Sequence, residues 1–157
     1  MIMDNDNTVS EAVTVAIRHI GLGTSSSGKI YAYLQQKGYG PSVCNEAVSE
    51  LIEREYIDDL KAGRAIIRKR TGKKQESRSL MTRRLLAGGV SREKVDILVS
   101  ELEDDRDTCV SLFDALYPII PNGDVNKLVN EFITVASRRG YSVETATSAF
   151  RIWLAKH

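Results

Sequence analysis

The chain has few of the residues that build small disulfide or metal domains. Only two cysteines, Cys44 and Cys109, and two histidines, His19 and His157, occur in 157 residues. They make neither a disulfide framework nor a zinc set. Aromatic residues are 6% of the chain and proline occurs three times, so there are few helix breakers. No apolar run approaches the roughly 18 residues of a membrane span. Met1–Ser10 is polar and acidic, unlike a secretory signal. No strand-like alternation runs long enough to propose a sheet. Against these absences stand 42% hydrophobic and 27% charged residues, the balance of a foldable soluble chain. These features lead us to expect a cytoplasmic, monomeric protein that uses no metal and no cofactor.

What is present is a repeat. Gly38, Gly89 and Gly140 stand 51 residues apart in matching surroundings. Each ends a helical stretch and precedes a large apolar residue (Tyr39, Val90, Tyr141), then a small one. Glycine relieves the left-handed conformation just past a helix. Ser91 and Ser142 are ready N-caps for the next helix, and Gly40-Pro41 serves in the first copy. Apolar residues recur at the same interval: Ile30, Met81 and Phe132; Cys44, Val95 and Ala146; Ala47, Leu98 and Ala149; Leu51, Leu102 and Trp153. Their spacing of 3, 4 or 7 within each copy marks one helical face. Val13, Ala16, Ile17 and Ile20 form a stripe ahead of the first copy, and Leu112, Ala115, Leu116 and Ile119 one ahead of the third. The expected fold is all-α: three tandem three-helix repeats in an elongated, curved array. The expected boundaries are a disordered tail over 1–8 and repeats over 9–58, 59–107 and 108–157. Asp58-Asp59 and the acidic stretch Glu101–Asp107 are expected to open the second and third repeats, because carboxylates favour helix N-termini.

The formal net charge of +1 conceals an asymmetry. Residues 1–60 carry −5, residues 61–94 carry +10, and residues 95–157 carry −4. A helix through 60–70 places Lys61, Arg64 and Arg68 on one face, with Leu60, Ala62, Ile66 and Ile67 opposite. Lys69, Arg70, Lys73, Lys74, Arg78, Arg83 and Arg84 continue the charge. Such a row suits phosphates, with sequence-independent, salt-sensitive binding, or the carboxylates of a protein partner. Residues 61–94 contain no Phe, Tyr or Trp, so base stacking has no platform there.

Gly23-Thr24-Ser25-Ser26-Ser27-Gly28-Lys29 spells the first seven positions of a phosphate-binding P-loop. The eighth position, which should hold magnesium through Ser or Thr, is Ile30, and the preceding segment has helical periodicity rather than that of a strand. It is expected to be a loop in which Ser26 or Ser27 caps a helix. Cys44 occupies an apolar repeat position. Cys109 lies near a helix start, where a thiolate is mildly favoured, but has no partner histidine.

The segment Tyr56-Ile57-Asp58-Asp59, then Arg64-Ala65-Ile66-Ile67-Arg68, then Leu85-x-x-x-Gly89-Val90-Ser91, resembles the RecX family of bacterial RecA regulators. The resemblance runs from about Ser10 to Ala155. The chain departs from the family pattern at Ala62 and Ile66, where aromatic residues are usual, and at Ser77, where glycine is common. The resemblance implies tandem three-helix repeats and no catalysis. It implies binding to the RecA–single-stranded-DNA filament, most simply with inhibition of recombination, and in some members direct contact with DNA. On that basis the ten basic residues from Lys61 to Arg84 named above are the expected DNA- or RecA-binding set. The alternative is a sequence-independent DNA-binding protein or transcriptional regulator acting without RecA. The helix after Gly38 is acidic, with Glu46, Glu50, Glu53 and Glu55, which ill suits a recognition helix in a DNA groove.

Overall fold

The computed structural model describes residues 5–157, with side chains described from Thr8 onward. Among these residues the chain is all-α, with nine α-helices, a short 3-10 turn and no strand. The helices are α1 (Asn5–Ile20), α2 (Ser27–Gln36), α3 (Pro41–Glu53), α4 (Asp59–Arg68), α5 (Arg78–Ala87), α6 (Arg92–Ser100), α7 (Asp105–Leu116), α8 (Val125–Arg138) and α9 (Val143–Ala155), with the 3-10 turn at Gly72–Lys74. Of the tail expected over 1–8, residues 1–4 lie outside the described residues, and α1 begins at Asn5.

The 51-residue lattice is a lattice of buried positions. Ile30, Met81 and Phe132 are buried, as are Cys44, Val95 and Ala146, and Ala47, Leu98 and Ala149. In the fourth set Leu51 and Trp153 are buried and Leu102 is half-buried. The corners repeat in their hydrogen bonds as well. Tyr39 N–H donates to Leu34 O, Val90 N–H to Leu85 O and Tyr141 N–H to Ala136 O, at 3.2, 3.1 and 3.1 Å. Each is the bond that closes a helix C-terminus. At the first and third corners the caps follow the sequence: Gly40 precedes Pro41 at the head of α3, and Ser142 Oγ accepts from Thr145 N–H, while at the second Ser91 N–H donates to Asp59 Oδ2.

Two stripes shift from their expected places. α7 ends at Leu116, so Ile119 lies beyond it and is 79% exposed; Cys109, Val110 and Phe113 join Leu112 in the core instead. On α4 the innermost residues are Asp59 and Gly63, while Leu60, Ala62, Ile66 and Ile67 are only half-buried. Gly63 is demanded by space. A Cβ there would collide with Leu98 Cδ1 and lie 3.3 Å from Leu85 Cδ2.

The chain divides into two compact units. The first comprises residues up to Ala65 together with Leu85–Leu98, around a core of Val13, Ala16, Ile30, Leu34, Cys44, Ala47, Leu51 and Ile57. The second comprises Ile66–Arg84 and Val99–His157. Its core is aromatic. Phe132 packs against Phe113, Tyr117, Phe150 and Trp153 with ring centroids 4.0–4.9 Å apart. Trp153 is fully buried and donates Nε1–H to Tyr117 O at 3.2 Å, so it is a core residue.

Candidate functional site

The sequence places ten basic residues in the candidate surface, and the structure sorts them into two kinds. In the first unit Lys61 and Arg64 are exposed on α4. In the second, Arg68, Lys69, Lys73, Lys74 and Arg83 are exposed. The side chains of these five engage no acidic partner among the described residues.

The other three, of which Arg84 is also exposed, serve acceptors within the second unit. The Arg78 guanidinium donates to Glu103 O at 3.1 Å and to Leu102 O. Arg78 N–H donates to Asp105 Oδ1 at 2.9 Å, so this residue ties the start of α5 to the start of α7. Arg70 and Arg84 converge on Glu76, which is 3% exposed. Arg84 Nε lies 3.2 Å and 3.3 Å from the two carboxylate oxygens, its Nη2 3.3 Å from Oε2, and Arg70 Nε 3.4 Å from Oε1. A nearly buried carboxylate with no partner would be costly, so these two arginines are what allow Glu76 to sit there.

The P-loop-like segment has a different use. α2 is preceded by helix α1 rather than by a strand. Ser26 caps α2, accepting from Lys29 N–H at 3.4 Å and donating to Gly88 O at 2.7 Å. Gly28 N–H donates to Gly89 O at 2.8 Å, and a Cβ on Gly28 would lie 2.8 Å from Gly89 Cα. The glycine thus serves a backbone-to-backbone approach. The anion position at this helix start is already taken. Asp59 Oδ1 accepts from Ser27 N–H at 2.7 Å, and its Oδ2 accepts from Ser27 Oγ at 2.5 Å and Ser91 N–H at 3.0 Å. This carboxylate lies at the wall of a cleft of about 770 Å³ that Thr24, Glu55, Asp58, Lys61, Glu93 and Lys94 also line. It fills the place a phosphate would need and repels one.

Neither cysteine is poised for chemistry. Cys44 and Cys109 are both buried and free. Burial, reinforced by Asp105, pushes the Cys109 thiol up to about 12. Burial also raises Tyr141, whose hydroxyl lies 2.8 Å from Thr108 Oγ1. A reactive thiolate needs the opposite environment. The consequence is an alkaline weakness in the second unit. A group held neutral in the fold contributes its full stability below its unfolded pKa, and loses it as pH rises toward the folded value. For Cys109 that window runs from its ordinary 9.0 to about 12. Stability should fall by roughly 1.4 kcal/mol per pH unit within it. Urea unfolding followed by Trp153 fluorescence at about pH 8.5 and about pH 10 should show this fall, and Cys109→Ala should reduce it, leaving the share of Cys44 and Tyr141, which burial also raises. An equal slope in the variant would remove Cys109 from the explanation.

Among the described residues no group of three His, Cys, Asp or Glu side chains is placed to hold a metal ion, and no helix is long and apolar enough to cross a membrane. No protein-family model matches the sequence, and no curated protein matches it. The fold does have a solved counterpart. The chain matches the crystal structure of RecX from Lactobacillus salivarius with a TM-score of 0.74 and 13% sequence identity, over 96% of this chain and 99% of that one. The fold is therefore RecX-like over nearly the whole of the chain.

Proposed function

We propose that this protein is a regulator of the RecA recombinase, binding the RecA–single-stranded-DNA filament and inhibiting its activities without catalysing a reaction. Three things support the reading. The fold likeness covers nearly the whole of both chains. The Tyr56-Ile57-Asp58-Asp59 stretch and the arginines that follow it resemble the RecX pattern. The observation that carries the reading is the one-signed exposed surface of 66–84, where Arg68, Lys69, Lys73, Lys74 and Arg83 all face solvent. One-signed charge repels itself and is kept for a polyanionic partner. The exposed face of α4 with Lys61 and Arg64 belongs to the proposed contact set, whereas Arg70, Arg78 and Arg84 act inside the second unit.

The test is co-sedimentation with preformed RecA–DNA filaments, together with single-strand-dependent ATP turnover by RecA. The native chain should pellet with filaments and slow turnover. The Lys73→Glu/Lys74→Glu/Arg83→Glu variant should lose at least about tenfold in apparent affinity while keeping its helical content, since each such charge contact contributes on the order of 1 kcal/mol or less at a solvated surface. A native chain that neither pellets nor alters turnover would end the reading.

A further inference from the structure

Within the second unit the lysine-bearing segment is held at both ends by one buried side chain. Glu76 takes Arg70 from the start of the segment and Arg84 from two turns into α5. Between them, Lys74 N–H donates to Thr71 O and Gln75 N–H to Gly72 O, both at 3.2 Å, which winds Gly72–Lys74 into its 3-10 turn. Gly72 adopts φ +62 at the head of that turn. Lys73 and Lys74 are left exposed. Two guanidinium groups against one carboxylate leave one positive charge in excess, and the Arg70 and Arg84 side chains remain 33% and 44% exposed.

What surrounds this ledge narrows its partner. From Ile66 to Arg84 no apolar side chain is exposed: Ile66, Ile67 and Leu80 are half-buried and Met81 is buried. Protein interfaces are centred on desolvated aromatic or aliphatic anchors. Interfaces with a phosphodiester backbone are polar and strongly positive, and need none.

We infer that Glu76 is a positioning residue: by clamping Arg70 and Arg84 it presets the Gly72–Lys74 turn as a two-lysine ledge for the phosphates of a nucleic-acid backbone. This rests on the reading of 66–84 as a polyanion contact and assigns that contact to the nucleic acid rather than to a protein surface. Its signature runs against simple electrostatics. Removing a carboxylate from a basic surface should tighten polyanion binding by charge alone. Removing a clamp should weaken it, because the turn must then be ordered on binding.

The probe is a single-stranded oligodeoxythymidylate, titrated with the full chain across a range of salt. Glu76→Gln should bind about five- to tenfold more weakly, with the salt slope unchanged because no cation is lost. Exchange of the Lys74 and Gln75 amide hydrogens should quicken in the same variant. Lys73→Gln/Lys74→Gln should weaken binding and reduce the slope by about 1.4, the share of two phosphates on a single strand. Should Glu76→Gln fail to fold, Arg70→Gln against Lys69→Gln repeats the comparison at equal charge loss, and Arg70→Gln should fall further. Binding by Glu76→Gln equal to or tighter than the native chain overturns the positioning role and leaves the basic surface standing. A native chain that pellets with RecA filaments but ignores the oligonucleotide overturns the nucleic-acid assignment alone. A chain that does neither fails at the level of the proposed function.

Discussion

Asp59→Ala is expected to destabilise the first unit by roughly 4 kcal/mol, several times the effect of the same change at its neighbour Asp58. The two carboxylates are adjacent in sequence and opposite in use. Asp58 is exposed and caps its own helix, accepting from Lys61 N–H at 3.0 Å. Losing such a cap costs about 1 kcal/mol. Asp59 is 7% exposed and turns inward, where it accepts from Ser27 N–H, Ser27 Oγ and Ser91 N–H. It therefore closes the starts of both α2 and α6. Charge-assisted bonds of this kind contribute about 1.5–3 kcal/mol each, and donors left without an acceptor add their own penalty. Asp59→Asn keeps the shape and one acceptor but loses the charge, so its cost should fall between those of Asp58→Ala and Asp59→Ala. Urea unfolding followed by far-ultraviolet circular dichroism ranks the three. An Asp58→Ala cost equal to or above that of Asp59→Ala would show that the inward carboxylate is not the anchor described.

The division of labour between Asp58 and Asp59 also marks where sequence reading stops. Both read as acidic residues at a helix start, and both are. A local pattern cannot show that one of them reaches a serine 32 positions earlier and another 32 positions later. The same limit applies to the basic segment. Its charge, the exposed face of α4 and the absence of aromatics are legible because helical periodicity is local. That Arg70 and Arg84 close on Glu76, and that Arg78 serves the carbonyls of Leu102 and Glu103, depends on chain segments brought together only by folding. Glu76 itself carries no sequence signal beyond being one of two acids in a stretch of twelve cations. The apolar lattice was legible almost completely, since burial every 51 residues follows from one face of each helix. Gly63 offered a signal that periodicity does not weigh: a glycine inside an exposed-faced helix costs about 1 kcal/mol in propensity and needs a packing reason. The Leu98 and Leu85 side chains above it supply one.

The three repeat glycines look equivalent in sequence and should not behave alike. All adopt positive φ, at +98 for Gly38, +83 for Gly89 and +86 for Gly140. Alanine at any of them carries the left-handed strain of about 1–2 kcal/mol. Around Gly38 a Cβ would meet nothing within 4 Å, so Gly38→Ala should cost no more than that strain. A Cβ on Gly89 would collide with Ser26 Oγ and lie 2.7 Å from the backbone N of Lys29. A Cβ on Gly140 would collide with Ser77 Oγ and lie 3.0 Å from Leu80 Cβ. Ser26 and Ser77 are themselves 51 residues apart, so one junction occurs twice, once in each compact unit. Overpacking adds about 1–3 kcal/mol, and Gly89→Ala and Gly140→Ala should each cost roughly 3–4 kcal/mol. The obstacles differ in kind, which gives a sharper test. At Gly140 the nearest obstacle is a side-chain hydroxyl, so Ser77→Ala should recover part of the Gly140→Ala cost, as a favourable coupling in a double-mutant cycle. At Gly89 the backbone of Lys29 remains in the way, and Ser26→Ala should recover little. Equal costs at Gly38, Gly89 and Gly140 would mean that the glycines serve conformation alone, and that close packing of a corner against the preceding helix start is not what the 51-residue period preserves.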